Sequence, residues 1–462
     1  ERETIYSEQI TKAKKEEKAV KKADKKAAEQ DLMIVADYVL KLTKDIRALK
    51  EPIKIQSLAK KILKIESSFV KEGRYHMIKE VLGVFAVQLF ERHFVPVAAG
   101  KRPLPSNLVN VEEKRYYTQE ELARMYESGS KDISELNPPN GSFWSEPENV
   151  GSVDIGKIVK EADLPTEYYY KKVKKSDHHP KLKVYSKNGK KKTSWKFKIG
   201  QEVNAEFIGM RFMQLMGFKT DEMFYLRRPK LYFDSKEEKD EMIYEWLDFY
   251  AGAHDELPHK LIESEGFETA EGKNKGKYYV VFYEATIETR PKNEERVGSF
   301  KMNDLGAWEK REVRAQMLLQ GFIGSGDIKE AHNNKIKLIK NGDDYDVEEL
   351  IHDIGKILGT PLQGLQANKF PYSWVKTRGR GKHKKISFNY KRYHIINNGK
   401  KEKNPFLVGH YSDIKWAARL LSQVTQKQIE DIMYYSGLPR PLAELYIKKL
   451  INRRNEVVEA FD

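Results

Sequence analysis

Cysteine is absent from all 462 residues. Disulfides, thiolate metal sites and cysteine nucleophiles are therefore excluded, although the compartment is not. Long apolar runs are absent too. The longest, VLGVFAVQLF, is too short to span a bilayer and is flanked by Lys79, Glu80, Glu91 and Arg92. No transmembrane segment is expected. No Met precedes Glu1, which suggests a removed leader or a trimmed chain. Acid does not balance base: 84 Lys and Arg stand against 69 Asp and Glu, a formal charge of +15. Such an excess suits nucleic acid, anionic lipid or an acidic substrate. Here lysine is spread over the whole chain and mixed with glutamate. A solvated lysine-rich surface is the better reading, and nucleic acid is not the expected partner.

What is present is 39 % hydrophobic residues, enough for two or three domains with real cores. Residues 1–100 read as a helical N-terminal region. Up to about residue 30 the composition is Lys/Glu/Ala with no apolar face. From Leu32 to Phe94, apolar residues at three- and four-residue spacing predict three amphipathic helices. This region carries no chemical motif and is the natural place for a protein partner.

Residues 101–290 are richer in strand signals. Thr118 and Glu121 form a capping box before LARMY. KLKVYS, Asn188-Gly189 and TSWKFKIG read as a hairpin with a type I′ turn. Trp195, Phe197 and Ile199 alternate with Lys196 and Lys198, which ordinarily places the lysines in solvent. A helical segment follows at once, EVNAEFIGMRFMQLMGF, with Glu206 about one turn into it. KYYVVFYEA, residues 277–285, reads as one buried strand, and residues 290–306 as a polar loop.

Residues 291–462 contain the densest pattern, between 324 and 355. The apolar segment VRAQMLLQGFIG leads to a short polar loop holding Asp327, Lys329, Asn333 and Asn334. The runs KIKLIK and YDVEELI, joined by NGDD, read as a hairpin that ends on His352-Asp353-Ile354-Gly355. Asp and Asn are common in turns for local hydrogen-bonding reasons. That explains each residue but not their order. The basic stretch VKTRGRGKHKKISFNYKR reads as an exposed loop with a strand, and the C-terminus as helices.

FWSEPENVGSVDI, WKFKIGQEVNAEFIGMRFMQLMGF, GDIKEAHNN, HDIGKILGTP and the tail WAARLL to INRR together resemble one family. It is a poorly characterised group of bacterial, often exported, proteins. Their core is similar to the HipA-like and lipid-kinase-like branch of the protein-kinase superfamily. The resemblance covers residues 140–462. It implies an α+β, two-lobed protein-kinase-like fold, with a β-rich N-lobe at 101–290 and a helical C-lobe at 291–462, preceded by the small helical domain.

It further implies an ATP- and Mg²⁺-dependent phosphotransferase of unknown acceptor. Lys198 would clamp the nucleotide phosphates, with Lys196 as the alternative. Glu206 would orient that lysine, with Glu202 second. Glu284 and Ala285 would form the hinge that meets the adenine. Asp327 would orient the accepting hydroxyl and Lys329 would stabilise the transferring group. Asn333 or Asn334, with Asp353, would hold the metal. The usual amide position, five residues after the aspartate, is His332 here. A glycine-rich loop is not evident before the hairpin; Asn140-Gly141-Ser142 and the turn around Gly151 are the candidates. An inactive pseudokinase that binds a partner is the alternative, and a basic nucleic-acid-binding protein a second one. An exported location follows from the resemblance, with the cytoplasm as the other choice.

Overall fold

The computed structural model describes residues 94–96, 104–161, 164–174, 181–188, 191–200, 202–250, 261–289, 291–298, 309–325, 334–359, 370, 372–379, 385–389 and 410–462. The expected N-terminal helices lie outside the described residues. Within that region only Phe94–Pro96 is described, and it is a strand.

The protein is α+β. Its strands are β1 (Phe94–Pro96), β2 (Val109–Asn110), β3 (Arg115–Tyr116), β4 (Tyr168–Val173), β5 (Lys181–Asn188), β6 (Lys191–Lys198), β7 (Met223–Arg227), β8 (Lys230–Phe233), β9 (Ile262–Phe267), β10 (Tyr278–Phe282), β11 (Glu284–Thr289), β12 (Glu294–Gly298), β13 (Asn334–Asn341), β14 (Asp344–Ile351), β15 (Val375–Arg378) and β16 (Lys385–Asn389). The helices are α1 (Gln119–Ser128), α2 (Ile155–Glu161), α3 (Val203–Leu215), α4 (Lys236–Tyr250), α5 (Arg311–Phe322), α6 (Tyr411–Ser422), α7 (Gln426–Tyr435) and α8 (Arg440–Phe461).

Eight strands form one mixed sheet in the order β7-β11-β6-β5-β4-β8-β10-β9. The pairings are antiparallel except β4 with β8. Alternation sets its faces. Leu182, Val184, Trp195, Phe197 and Ile287 point to one side, where Met242 and Trp246 of α4 close a buried cluster. Lys196 and Lys198 point to the other. Around α3, α5, α6, α7 and α8 lies a second, larger core. Helix α3 belongs to that core, and its Arg211 donates to the Met223 carbonyl of β7 (2.8 Å). It therefore ties the sheet to the helices.

Local chemistry explains several elements. Thr118 caps α1 with the expected capping box. In the second hairpin Asn341 pairs with Asp344, and Gly342 supplies φ +67° in the two-residue turn. The first hairpin differs by one residue from its expected turn. Asn188 pairs with Lys191, so Asn188 ends the strand. The single strand expected over 277–285 is divided at Tyr283 into β10 and β11. The polar loop expected over 290–306 contains β12, which pairs with β13. Its sequence, EERVG, has no apolar alternation, and none of its residues is buried. The basic stretch after 374 forms the β15–β16 pair, which β1 extends.

Two arginines hold α5 to α6. Arg311 donates to Asp413 Oδ1 (3.1 Å), and Arg314 lies 3.3 Å from Oδ2. All three side chains are buried. No helix among the described residues is long and apolar enough to cross a membrane.

Candidate active site

The site begins where β6 ends. Gly200, at φ +104°, turns the chain from strand into α3. That short link places Lys198 opposite the first turn and a half of the helix. Lys198 Nζ donates to Glu206 Oε2 (2.6 Å) and to Glu202 Oε2 (3.0 Å). Its side chain is 3 % exposed, against 1 % for Glu206 and 6 % for Glu202. Burial alone would push the Lys198 ammonium down. The charges of Glu206, Glu202 and Asp353 outweigh it and hold the pKa well above the ordinary lysine range.

The far side of the site is the exit of β14. Asp353 Oδ1 lies 3.7 Å from Lys198 Nζ, and its side chain is 45 % exposed. Among these four groups it alone faces solvent substantially. Burial acts to raise its pKa, but the Lys198 charge prevails and keeps Asp353 below the usual carboxylate range. Its backbone is left-handed, φ +57°. Such a conformation in a non-glycine residue is characteristic of sites whose surroundings over-determine them.

Two glycines bring this turn and α3 together. A Cβ at Gly209 would lie 2.0 Å from Ile354 Cγ2, so only glycine lets the helix approach. A Cβ at Gly355 would lie 2.8 Å from Glu202 Oε2.

A second charged cluster runs beside the first. Lys196 Nζ donates to Glu288 Oε2 (2.9 Å), and Arg296 donates to Glu288 Oε1 (2.6 Å). Arg296 also donates to Asp221, whose carboxylate meets His352 Nδ1. The two clusters are adjacent through Lys196/Lys198 on β6 and His352/Asp353 after β14. Lys196, the alternative clamp, is thus committed to β11 rather than to α3.

Glu284 and Ala285 open β11, while the chain leaves that strand after Thr289. They sit at the opposite end from the exit. Glu284 accepts from Asn204 Nδ2 (2.9 Å) and Tyr225 OH (3.2 Å), and burial pushes its pKa up. Asn204 also donates to the Ser436 carbonyl (2.8 Å). This is a buried polar tie between β11, α3 and the α7–α8 turn.

Asp327, Lys329, His332 and Asn333 lie outside the described residues. Asn334 begins β13, and its backbone pairs with Ile351, two residues before Asp353. The glycine candidates are elsewhere. Gly141 N–H donates to the Trp144 carbonyl (2.8 Å) and Gly151 N–H to Asn149 Oδ1 (3.0 Å), so each amide already has an acceptor.

Glu288, Asp221 and Arg296 had no sequence signal, because each reaches its partner across strands distant in the chain. Glu202 did have one: it stands four residues after Lys198. Among the described residues no three His, Asp or Glu side chains converge as a metal cage. Asp353 itself suits a hard cation: an ionised, solvent-reachable oxygen donor. Compared with protein-family models, curated proteins and solved structures, the chain matches none.

Proposed function

We propose that the protein is an ATP- and Mg²⁺-dependent phosphotransferase with a two-lobed, protein-kinase-like fold. One observation carries the reading. A lysine on a strand is held by a glutamate of the next helix, and an aspartate following a distant hairpin faces the same lysine at 3.7 Å. The strand order β4-β5-β6-β11-β7, with α3 inserted between β6 and β7, adds support.

In this reading Lys198 holds the nucleotide phosphates, and Glu206 fixes the direction of its ammonium. Asp353, with Asn333 or Asn334, would hold Mg²⁺, which supplies charge neutralisation at the phosphates when bound. Asp327 would receive the proton of the acceptor hydroxyl as its oxygen bonds to the γ-phosphorus and the bond to the ADP oxygen breaks. Lys329 would balance charge on the moving phosphoryl group.

A thermal-shift series tests this. ATP with Mg²⁺ should stabilise the wild type, by about 3 kcal/mol at a hundredfold excess over Kd. Asp353→Ala and Lys198→Met should lose the shift. Absence of any shift in the wild type sinks the reading.

A second reading, binding without turnover, is favoured by one fact. The segment that joins β4 to β5, residues 174–180, reads KKSDHHP and contains no glycine. It lacks the residue type that lets backbone amides close on phosphates. Nucleotide binding with no ATP turnover would favour this reading over the first.

A further inference from the structure

The phosphotransferase reading gives no role to Glu202. Three carboxylates, Glu202, Glu206 and Asp353, surround the single ammonium of Lys198. An ammonium has three donors. Two are taken by Glu206 and Glu202, and the remaining partner is Asp353. An incoming phosphate finds the lysine enclosed by negative charge.

The three carboxylates are not equivalent. Glu206 makes the shorter bond from inside α3. Asp353 is half in solvent and makes the longest contact. Glu202 is the residue before the helix. It is in N-cap position, yet its side chain makes no capping bond and is spent on Lys198 instead. A negative charge released there remains beside the positive end of the α3 dipole, which favours it. Glu202 also touches the turn after Asp353, since its carboxyl occupies the space a Gly355 side chain would need.

We propose that Glu202 is an anionic placeholder. In the ligand-free protein it occupies the position on Lys198 that a substrate phosphate takes, and it is displaced when the phosphate arrives. Through Gly355 it couples that displacement to the turn bearing Asp353. The inference rests on the phosphotransferase reading and names the group that regulates entry to its site.

Calorimetric titration of ATP and of tripolyphosphate, each without and with Mg²⁺, tests it. Glu202→Gln keeps the shape and removes the charge. It should bind both probes at least about tenfold more tightly without metal, because one competing anion is gone. Gly355→Ala crowds Glu202 off Lys198 by a different route and should shift affinity in the same direction. The double variant should gain less than the sum, as expected for two changes acting through one contact.

Unchanged or weaker binding by Glu202→Gln overturns the proposal while leaving the nucleotide reading intact. So does a loss confined to Mg²⁺-dependent binding, which would make Glu202 a metal ligand. No binding of either probe by the wild type or any variant would overturn the phosphotransferase reading, and this inference with it.

Discussion

A lysine on a strand normally points to water, and Lys198 does the opposite. Its side chain is 3 % exposed and enclosed by Glu206, Glu202 and Asp353. Removing one partner of a buried ion pair costs about 3–5 kcal/mol, because the other charge is left without compensation. Lys198→Met strands two carboxylates and should destabilise the ligand-free protein by that amount in urea unfolding. The pH dependence has a defined sign. The folded pKa of Lys198 lies above its unfolded value, so its contribution is complete below the ordinary lysine pKa and fades only in stronger alkali. The difference between wild type and variant should therefore not shrink between about pH 7 and 9. A stability difference that shrinks across this interval would contradict the buried charged lysine. The pair itself was legible from order alone: strand lysine, turn, helix glutamate. Which lysine and which glutamate was not, since Lys196 and Glu202 fit the same pattern.

Helix α3 joins the two cores, and its composition reflects that position. Glycine inside a helix costs about 1 kcal/mol relative to alanine. Gly209 is nevertheless in the middle of α3, against Ile354 of the turn after β14. Alanine there should raise helix propensity and still lower stability, because its Cβ would overlap Ile354 Cγ2. We expect Gly209→Ala to lower Tm and to weaken nucleotide binding, since it drives Glu206 and Asp353 apart. A rise in Tm would show that the close approach is not required. The elements were largely readable. The capping box of α1, both hairpins and the C-terminal helices follow from local pattern. The division of residues 277–285 at Tyr283, and the strand β12 within a charged stretch, did not. Both depend on which neighbour each strand pairs with, and that is a long-range matter.

At the scale of the whole molecule, one buried cluster makes stability sensitive to mild acid. His410 caps α6: its Nδ1 accepts from the Ser412 N–H (3.1 Å), while Asp413 accepts from the His410 N–H (3.1 Å) and pairs with Arg311 and Arg314. Burial, reinforced by the two arginines, pushes the His410 pKa down to about 4 despite Asp413. A base with a depressed folded pKa binds more protons unfolded. Stability is therefore present above the unfolded value and is lost as pH falls from about 6.5 to about 4. The loss is of order 3 kcal/mol at about 1.4 kcal/mol per pKa unit. His410→Asn, which keeps a capping oxygen, should flatten that part of the curve in chemical denaturation from pH 7 to 4; an unchanged slope would remove His410 as its source. By itself the sequence determined the class of elements, the absence of thiol chemistry and the order lysine, glutamate, aspartate. Those depend on residue type, on local spacing and on the sequence in which the residues follow one another along the chain. Only the tertiary structure decided that Lys198 and not Lys196 meets α3, that Glu202 shares it, and that Asp353 faces it from more than 150 residues away. Lys196 and Lys198 lie on the same face of one strand and are chemically identical; what separates them is which carboxylate the fold brings opposite each.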